Sequence, residues 1–363
     1  MQVNFIRKPK RTIYVGSVPI GGAHPVAVQS MTNTYTTDVQ ATLAQIQALK
    51  NAGCEIVRVA VPDFDAADAI CNLKKATSVP IIADIHFDWR LAVAALKSGA
   101  DGIRINPGNI GSIEKLKKVV EKAKERGVPI RVGVNSGSLE KDIRLKHGGP
   151  TPDALVESAI RNINLIREMS YENLKVSIKS SDCLSTVEAY RRLSEACDFP
   201  LHIGVTEAGG LIAGTVKSSV ALGALLMDGI GDTMRVSLTA DPVQEVKVAY
   251  EILRSLHIRH RGPEIISCPT CGRCEINLFG LLEEVEKRAA SLEKPIKIAV
   301  MGCVVNGPGE AREADIGLAG GKGLGIIFQG EKILKKVPEK DLLDVFWAEV
   351  LRIHEENDGQ PHF

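Results

Sequence analysis

Short β-branched and aliphatic runs alternate with longer amphipathic stretches eight times before residue 260. The apolar runs predict strands at Val26–Gln29, Glu55–Val59, Pro80–Asp84, Gly102–Ile105, Ile130–Val134, Leu174–Ile178, Leu201–Val205 and Thr233–Val236. Between them, 3.6-residue periodicity predicts helices over Thr42–Lys50, Ala66–Ala76, Leu91–Lys97, Ile113–Glu125, Pro152–Met169, Thr186–Ala196, Val216–Met227 and Pro242–Leu256. Short apolar strands separated by helices imply parallel strands covered on both faces. Eight such units in about 250 residues is the count of a closed (β/α)8 TIM barrel. A doubly wound open sheet is the alternative, because periodicity does not prove closure. A short basic linker, His257–Gly262, then ends at Pro263. Beyond it the pattern predicts a helix over Leu278–Leu292, a strand at Ile296–Val300, a strand pair at Ala314–Leu318 and Gly325–Phe328, a closing helix over Glu339–Glu355 and a frayed tail from Asn357. The expected division is thus a barrel over 1–262 and a smaller α+β domain over 263–363.

Polar residues sharpen the barrel reading, because the chemistry of such barrels sits where strands end. Here the predicted strand ends carry Gln29-Ser30, Arg58, Asp84 with His86, Arg104 with Asn106, Arg131 with Asn135, Lys179, His202 with Thr206 and Glu207, and Arg235 with Ser237. One arginine inside a strand is readily a salt-bridge partner; arginines at equivalent ends of several strands repel unless an anion neutralises them. A phosphorylated substrate is inferred, since the guanidinium fork meets phosphate oxygens bidentately. Lys217-Ser218-Ser219, expected near the start of the seventh helix, adds donors of the kind that hold phosphate beside the last strands. His86 and His202 each have the bland reading of a satisfied histidine, and Asp84 that of an arginine anchor. Gly320-Gly-Lys-Gly323 lacks the spacing of a phosphate loop and reads as a hairpin turn.

Charge and composition narrow the class. A net charge of +1 with 4% aromatic residues leaves neither a basic stripe nor stacking platforms, so nucleic acid is not an expected partner. The longest apolar run, Val220–Met227, is less than half of the ~20 residues a membrane span takes, and no signal-type apolar region opens the chain. A cytoplasmic enzyme is expected. Of eight cysteines, Cys54, Cys71, Cys183 and Cys197 are scattered singly, as reduced packing residues are.

The remaining cysteines are different. Cys268-Pro-Thr-Cys271 and the distant Cys303 supply three thiolates, one short of the set an iron–sulfur cubane or structural zinc takes. Glu310, seven residues after Cys303 across an Asn-Gly-Pro-Gly turn, is a candidate fourth ligand. A zinc site is the alternative, as is a cluster on Cys268, Cys271 and Cys274 with Cys303 a buried thiol. An iron with a replaceable oxygen ligand can bind substrate as well as pass electrons, which points to redox catalysis.

Taken together, Val28-Gln-Ser-Met-Thr-Asn-Thr34, Ala83-Asp-Ile-His-Phe87, Ile103-Arg-Ile-Asn-Pro-Gly-Asn-Ile110, Gly133-Val-Asn-Ser-Gly-Ser-Leu139, Gly204-Val-Thr-Glu-Ala-Gly209, Ser267-Cys-Pro-Thr-Cys271 and Gly302-Cys-Val-Val-Asn-Gly-Pro-Gly-Glu310 resemble the 4-hydroxy-3-methylbut-2-enyl diphosphate synthases, in their bacterial two-domain form. The resemblance implies a reductive ring opening of 2-C-methyl-D-erythritol 2,4-cyclodiphosphate in isoprenoid precursor biosynthesis. Electrons would enter through a 4Fe–4S cluster held by Cys268, Cys271, Cys303 and Glu310, fed by flavodoxin or ferredoxin, with Cys274 a neighbour. Diphosphate binding would fall to Arg58, Arg104, Asn106, Arg131, Asn135, Lys179, Lys217, Arg235 and Ser237. Glu207 would protonate a departing hydroxyl, with Asp84, His86 and His202 orienting or relaying. A pterin-binding methyltransferase barrel and a zinc-stabilised binding module are the competing classes, separable by metal content.

The last barrel helix returns the chain to the face opposite the chemistry, and a linker of about ten residues stretches at most ~35 Å. The second domain is therefore expected to cap the barrel of another subunit, in a head-to-tail homodimer with a hinge near Gly262-Pro263.

Overall fold

Residues 7–292, 294–304 and 307–356 are described by a computed structural model, with the backbone alone at Glu310. The expected tail from Asn357, Asn306 of the Asn-Gly-Pro-Gly turn and the Glu310 side chain lie outside the described residues. Two units are present, the first ending at Arg259 and the second beginning at His260.

The first unit opens with a hairpin the periodicity did not predict, β1 (Ile13–Val15) and β2 (Val18–Ile20), turning at Gly16-Ser17 with Gly16 at φ +57. The barrel strands follow: β3 (Ala27–Met31), β4 (Ile56–Ala60), β5 (Ile81–Asp84), β6 (Gly102–Ile105), β7 (Ile130–Asn135), β8 (Leu174–Lys179), β9 (His202–Ile203) and β10 (Thr233–Met234). From β3 to β8 each pairs in parallel with the next; β10 pairs with both β3 and β9. A parallel bridge from Val176 to Leu201 joins β8 to the foot of β9, so the ring closes and the open sheet is set aside. Every predicted barrel strand overlaps an observed one.

Six of the eight covering helices are started by a capping side chain, the exceptions being those that begin after Ser112 and Gly210. Asp38, Asp63, Asp88, Thr151, Asp182 and Asp241 each accept a backbone N–H from the first turn of the helix they precede. The helix over Ile113–Arg126 ends at Gly127, whose φ of +66 suits glycine. One boundary differs in a way that matters: the seventh covering helix runs Leu211–Met227, so Lys217 lies inside it and not near its start. A short helix at Lys141–Lys146 was also not predicted, its six residues being too few to show periodicity.

Strand alternation partitions the barrel sharply. Val57, Val59, Ile103, Ile105, Val132, Val134, Val176 and Ile178 join the main core beneath the helices. The residues between them, Arg58, Arg104, Arg131, Gly133, Lys175, Ser177 and Lys179, turn inward. At the foot of the barrel the hairpin acts as a plug, with Ile13, Val15 and Ile20 packed on Ala27, Ile56 and Ile82.

The second unit is a five-stranded sheet in the order β11 (Pro263–Ser267), β12 (Ile296–Met301), β13 (Ile316–Gly321), β14 (Leu324–Gln329) and β15 (Lys332–Pro338). Its first three strands are parallel and the rest antiparallel. Helices Leu278–Ala289 and Leu342–Glu356 bury Val285, Phe346 and Val350 against Ile298 and Val300. Gly320-Gly-Lys-Gly323 is a hairpin turn, with Gly321 opposite Leu324 and Gly323 at φ +73. β15 escaped prediction because its lysines leave it mostly exposed, and β11 because it follows directly on the linker. Among the described residues no helix is long and apolar enough to cross a membrane.

Candidate active site at the barrel mouth

Two adjoining cavities open at the C-terminal ends of the strands. The deeper, about 150 Å³, is lined by Arg58, Asp84, His86, Arg104, Arg131, Asn135, Ser177, Lys179, Thr206, Arg235 and Ser237. The outer, about 200 Å³, shares His86, Arg104, Asn135 and Thr206 and adds Asn106, Asn109, Ser136, Ser138 and Glu207. Of the barrel residues that the resemblance assigns to binding or catalysis, all but His202 and Lys217 line one or the other; Gln29, Ser30, Ser218 and Ser219, also noted in the sequence, line neither.

Asp84 is the carboxylate around which the deeper cavity is organised. It is 5% exposed and lies 3.3 Å from Arg104 Nη1, 3.7 Å from Arg58 Nε and 3.4 Å from His86 Nε2. Burial alone would raise it, but Arg58, the His86 hydrogen bond, Arg104 and Arg131 outweigh that and hold it well below the usual carboxylate range. One carboxylate does not balance its neighbours. Burial pushes Arg58 down to about 10, Asp84 opposing and Arg235 and Arg104 adding to the shift. Arg131 is likewise driven well below its usual range by burial and then by Arg58 and Arg104, and Lys179 by burial and then by Arg131, Arg235, Arg58 and Arg104. Arg131 keeps Nε and Nη1 without hydrogen-bond partners among the described residues. Donors concentrated in a low-dielectric cup with too little negative charge form an anion site.

Small residues make room for those donors. A Cβ on Gly133 would stand 2.5 Å from Arg104 Nε, and one on Gly204 2.4 Å from Lys179 Nζ. Other residues fix the cations, and sequence reasoning passed over them. Arg235 donates to Glu245 at 3.0 and 3.1 Å, and the same buried carboxylate accepts from Ser30 Oγ at 2.8 Å and Leu238 N at 3.1 Å. Arg58 Nε and Nη2 donate to Met31 Sδ at 3.1 and 3.0 Å. Glu245 sits in a helix that read only as amphipathic, and Met31 lies two residues past the predicted strand Val26–Gln29; the signal available was that strand's alternation, which, carried on to the observed end at Met31, turns it inward.

At the rim, Asn106 Nδ2 donates to Ser138 O and Oγ at 3.2 and 3.3 Å, tying the loop after β6 to the loop after β7. Glu207 is exposed and holds φ +53, a left-handed backbone rare outside glycine and a feature that gathers at functional positions. His202 lies below the cavities, fully buried, with Nδ1 2.8 Å from Thr233 Oγ1. Burial, then Arg131 and the nearby lysines, keep it neutral. Lys217 is exposed on the outer helix and lines neither cavity. A larger cavity, about 760 Å³, opens at the foot of the barrel, but its arginines are already engaged, Arg7 with Asp232 and Gly22 O, Arg259 with Glu55 and Val26 O.

In the second unit, Cys268 follows β11 and Cys303 closely follows β12, its parallel neighbour, so both leave the sheet at the same end. Gly302 N donates to Cys268 Sγ at 3.2 Å. A Cβ on Gly302 would meet Cys274 Sγ at 2.8 Å, while that thiol donates to Ile276 O at 3.3 Å. Cys271 is exposed on the turn between them. Among the described residues no three Cys, His, Asp or Glu side chains converge on a metal position. Thiols grouped at one sheet end, with a backbone N–H aimed at one sulfur, nonetheless suit a sulfur-ligated cluster.

Comparison with known proteins places this geometry. The GcpE TIM-barrel domain matches residues 10–250 and the GcpE protein C-terminal domain residues 264–352. A 4-hydroxy-3-methylbut-2-en-1-yl diphosphate synthase (flavodoxin) of Desulfotalea psychrophila is 63% identical over 353 residues, covering 96% of this chain and 97% of its own. One of Geobacter sulfurreducens with the same name is 57% identical over 343 residues, covering 94% and 97%. Among solved structures, a dihydropteroate synthase of Stenotrophomonas maltophilia superposes with a TM-score of 0.50 at 15% identity, covering 69% of this chain and 98% of its own. A type I 3-dehydroquinate dehydratase of Clostridium difficile gives 0.51 at 14%, covering 68% and 98%. At these identities the two structures speak to the barrel fold alone.

Proposed function

The chain belongs to the GcpE family, and on that footing we infer that it reduces 2-C-methyl-D-erythritol 2,4-cyclodiphosphate to (E)-4-hydroxy-3-methylbut-2-enyl diphosphate and water. The family's enzymes are iron–sulfur oxidoreductases of isoprenoid precursor synthesis. The observation that carries the reading is the charge of the mouth: Arg58, Arg104, Arg131, Lys179 and Arg235 converge on one cavity with Asp84 as the carboxylate lining it.

The chain's own residues divide the work as follows. Arg58, Arg104, Arg131, Lys179 and Arg235, with Asn135 and Ser237, hold the cyclodiphosphate oxygens. Asp84 stays ionised and fixes Arg58 and Arg104, with His86 beside it. Asn106 orders the rim beside the sugar carbons. Glu207, at the exposed lip, carries the proton that the departing hydroxyl takes as it leaves as water. His202, neutral and bonded to Thr233, supports the strand end and moves no proton; Lys217 is left out of the binding set. Cys268, Cys271 and Cys303, with Glu310 completing the set, would hold a 4Fe–4S cluster that delivers the two electrons one at a time. Flavodoxin is the proposed reductant, after the names of the relatives.

A head-to-tail homodimer completes the proposal. Arg259 is pinned at the foot of the barrel by Val26 O and Glu55, and the second sheet begins at Pro263. Four residues reach ~14 Å, less than the ~20 Å rise of a six-residue strand. This supports a second unit that serves a partner's barrel mouth.

The test is turnover of the cyclodiphosphate by oxygen-free protein with reduced flavodoxin, alongside iron and sulfide analysis. About four irons and four sulfides per chain with product formation are expected; one zinc and no sulfide after anaerobic reconstitution would remove the mechanism. Mixing a Glu207→Gln chain with a Cys303→Ser chain should restore activity through heterodimers, and no recovery would place each site within one chain.

A further inference from the structure

One buried cation has no place in the mechanism above. Lys175 is the first inward-facing residue of β8, 1% exposed, and its Nζ has no hydrogen-bond partner among the described residues. It stands in register with Arg131 on β7, which lines the deeper cavity and has two guanidinium nitrogens without hydrogen-bond partners among the described residues. The groups that face it are Arg131, Arg58 from β4, neutral His202 from β9 and Asp232 from the segment before β10. Arg131 and Arg58 repel an ammonium there. Asp232 attracts one; its Oδ2 accepts from Leu201 N at 2.8 Å, and its Oδ1 lies 3.5 Å from Arg7 Nη2 with no hydrogen-bond partner among the described residues, Lys175 Nζ included.

An unpaired lysine in a barrel interior is a stability cost that a methionine or leucine would remove. It is tolerable on either of two terms, as a neutral amine or with an anion nearby. Burial and Arg131 hold Lys175 well below the usual lysine range, against the pull of Asp232. An anion above Arg131 cancels the local positive field and reverses the balance.

We propose that Lys175 is a positioning residue that couples anion binding to proton uptake: its Nζ lone pair takes a proton from solvent when a cyclic diphosphate enters the mouth, and gives it back on release. The charge arrives with the ligand, so the empty barrel is spared another buried cation. The inference rests on the reading of the mouth as a cyclodiphosphate site and adds a group one layer beneath it.

Calorimetric titration of iron-loaded, full-length enzyme with the cyclodiphosphate near pH 8, in two buffers of different ionisation enthalpy, counts the protons. The native enzyme should take up a sizeable fraction of a proton per barrel, and Lys175→Met should take up clearly less. The variant should also show KM raised about tenfold with kcat changed less than about twofold, and it should melt higher than the native enzyme. Binding without proton uptake, or uptake undiminished in Lys175→Met, overturns the role of Lys175 and leaves the site reading intact. A Lys175→Met chain that is less stable, or fails to fold, overturns it too, because the ammonium would then be a structural strut. Failure of the native enzyme to bind the cyclodiphosphate at all removes both.

Discussion

The barrel mouth and the cysteine end of the second sheet are both built where parallel strands stop, and they are organised in opposite ways. In the mouth, Arg58, Asp84, Arg104, Arg131, Asn135 and Lys179 sit on the strands themselves, so register fixes their height and alternation fixes their direction. Arg104 pairs with Arg131, and Arg131 with Lys175, through the ladder. At the cysteine end, Cys268 and Cys303 sit just past the last paired residues and Cys271 is exposed on a turn. The mouth is complete before its ligand arrives, at the cost of like charges held together. The thiols are delivered to one place and left for their partner to arrange.

That contrast can be broken most decisively at Cys303. Cys303→Ser should lose most of its iron and at least ~10³ of its turnover, while cyclodiphosphate binding and melting of the barrel stay as they were. Iron analysis with calorimetry reads both, and a barrel that loses its ligand along with its iron would show that the two ends are not independent. Asp84→Asn should come next. It leaves Arg58 and Arg104 with an uncharged neighbour and should destabilise the barrel by ~3–5 kcal/mol in denaturant titration, a loss that added pyrophosphate reduces. An unchanged midpoint would mean that the cations are balanced elsewhere.

A pH series sharpens the same point. Lys175 and Lys179 have folded-state pKa values below their unfolded ones, so the unfolded chain binds more protons. Stability should therefore rise from pH 7 toward the ordinary lysine range near ~10.4, by at most ~1.4 kcal/mol per pH unit for each group. A saturating anion should flatten that slope, and melting curves that fall over this range would contradict the charge ledger of the mouth. The smallest effect is expected at Gly133→Ala, whose Cβ would crowd Arg104. It should cost ~1–3 kcal/mol of stability or displace the guanidinium and raise KM several-fold, whereas Gly137→Ala, which meets nothing within 4 Å, should be silent.

Legibility in the sequence followed the same division. The eight barrel strands announced themselves because their outward faces are aliphatic, and the arginines because they interrupt those runs at matching positions. Asp84, His86, Asn106, Asn135 and Glu207 followed from lying at strand ends. Lys217 was misplaced because Leu211, Ile212 and Val216 remain exposed, so the first turns of that helix lack the contrast that marks a helix start. His202 alternates correctly yet sits a layer too low, and depth in a barrel depends on shear, which a linear pattern does not carry. Met31 and the spaces at Gly133 and Gly204 were missed because each acts on a neighbour distant in sequence, and Glu245 because it reaches Arg235 from the covering helix across the strand-to-helix loop.

The one-sided packing of the barrel strands has a consequence for descent. Nearly all the apolar burial that holds the first unit together lies between the outward strand faces and the helices. Inward positions can therefore be rewritten without dismantling what folds the chain, much as an interior is refitted behind a standing façade. A lineage inheriting this barrel could move to another small anionic substrate through changes confined to alternate residues, keeping caps, helices and register as they are. The inner face is where such a family would be expected to diversify, and the outer face where its ancestry would stay readable.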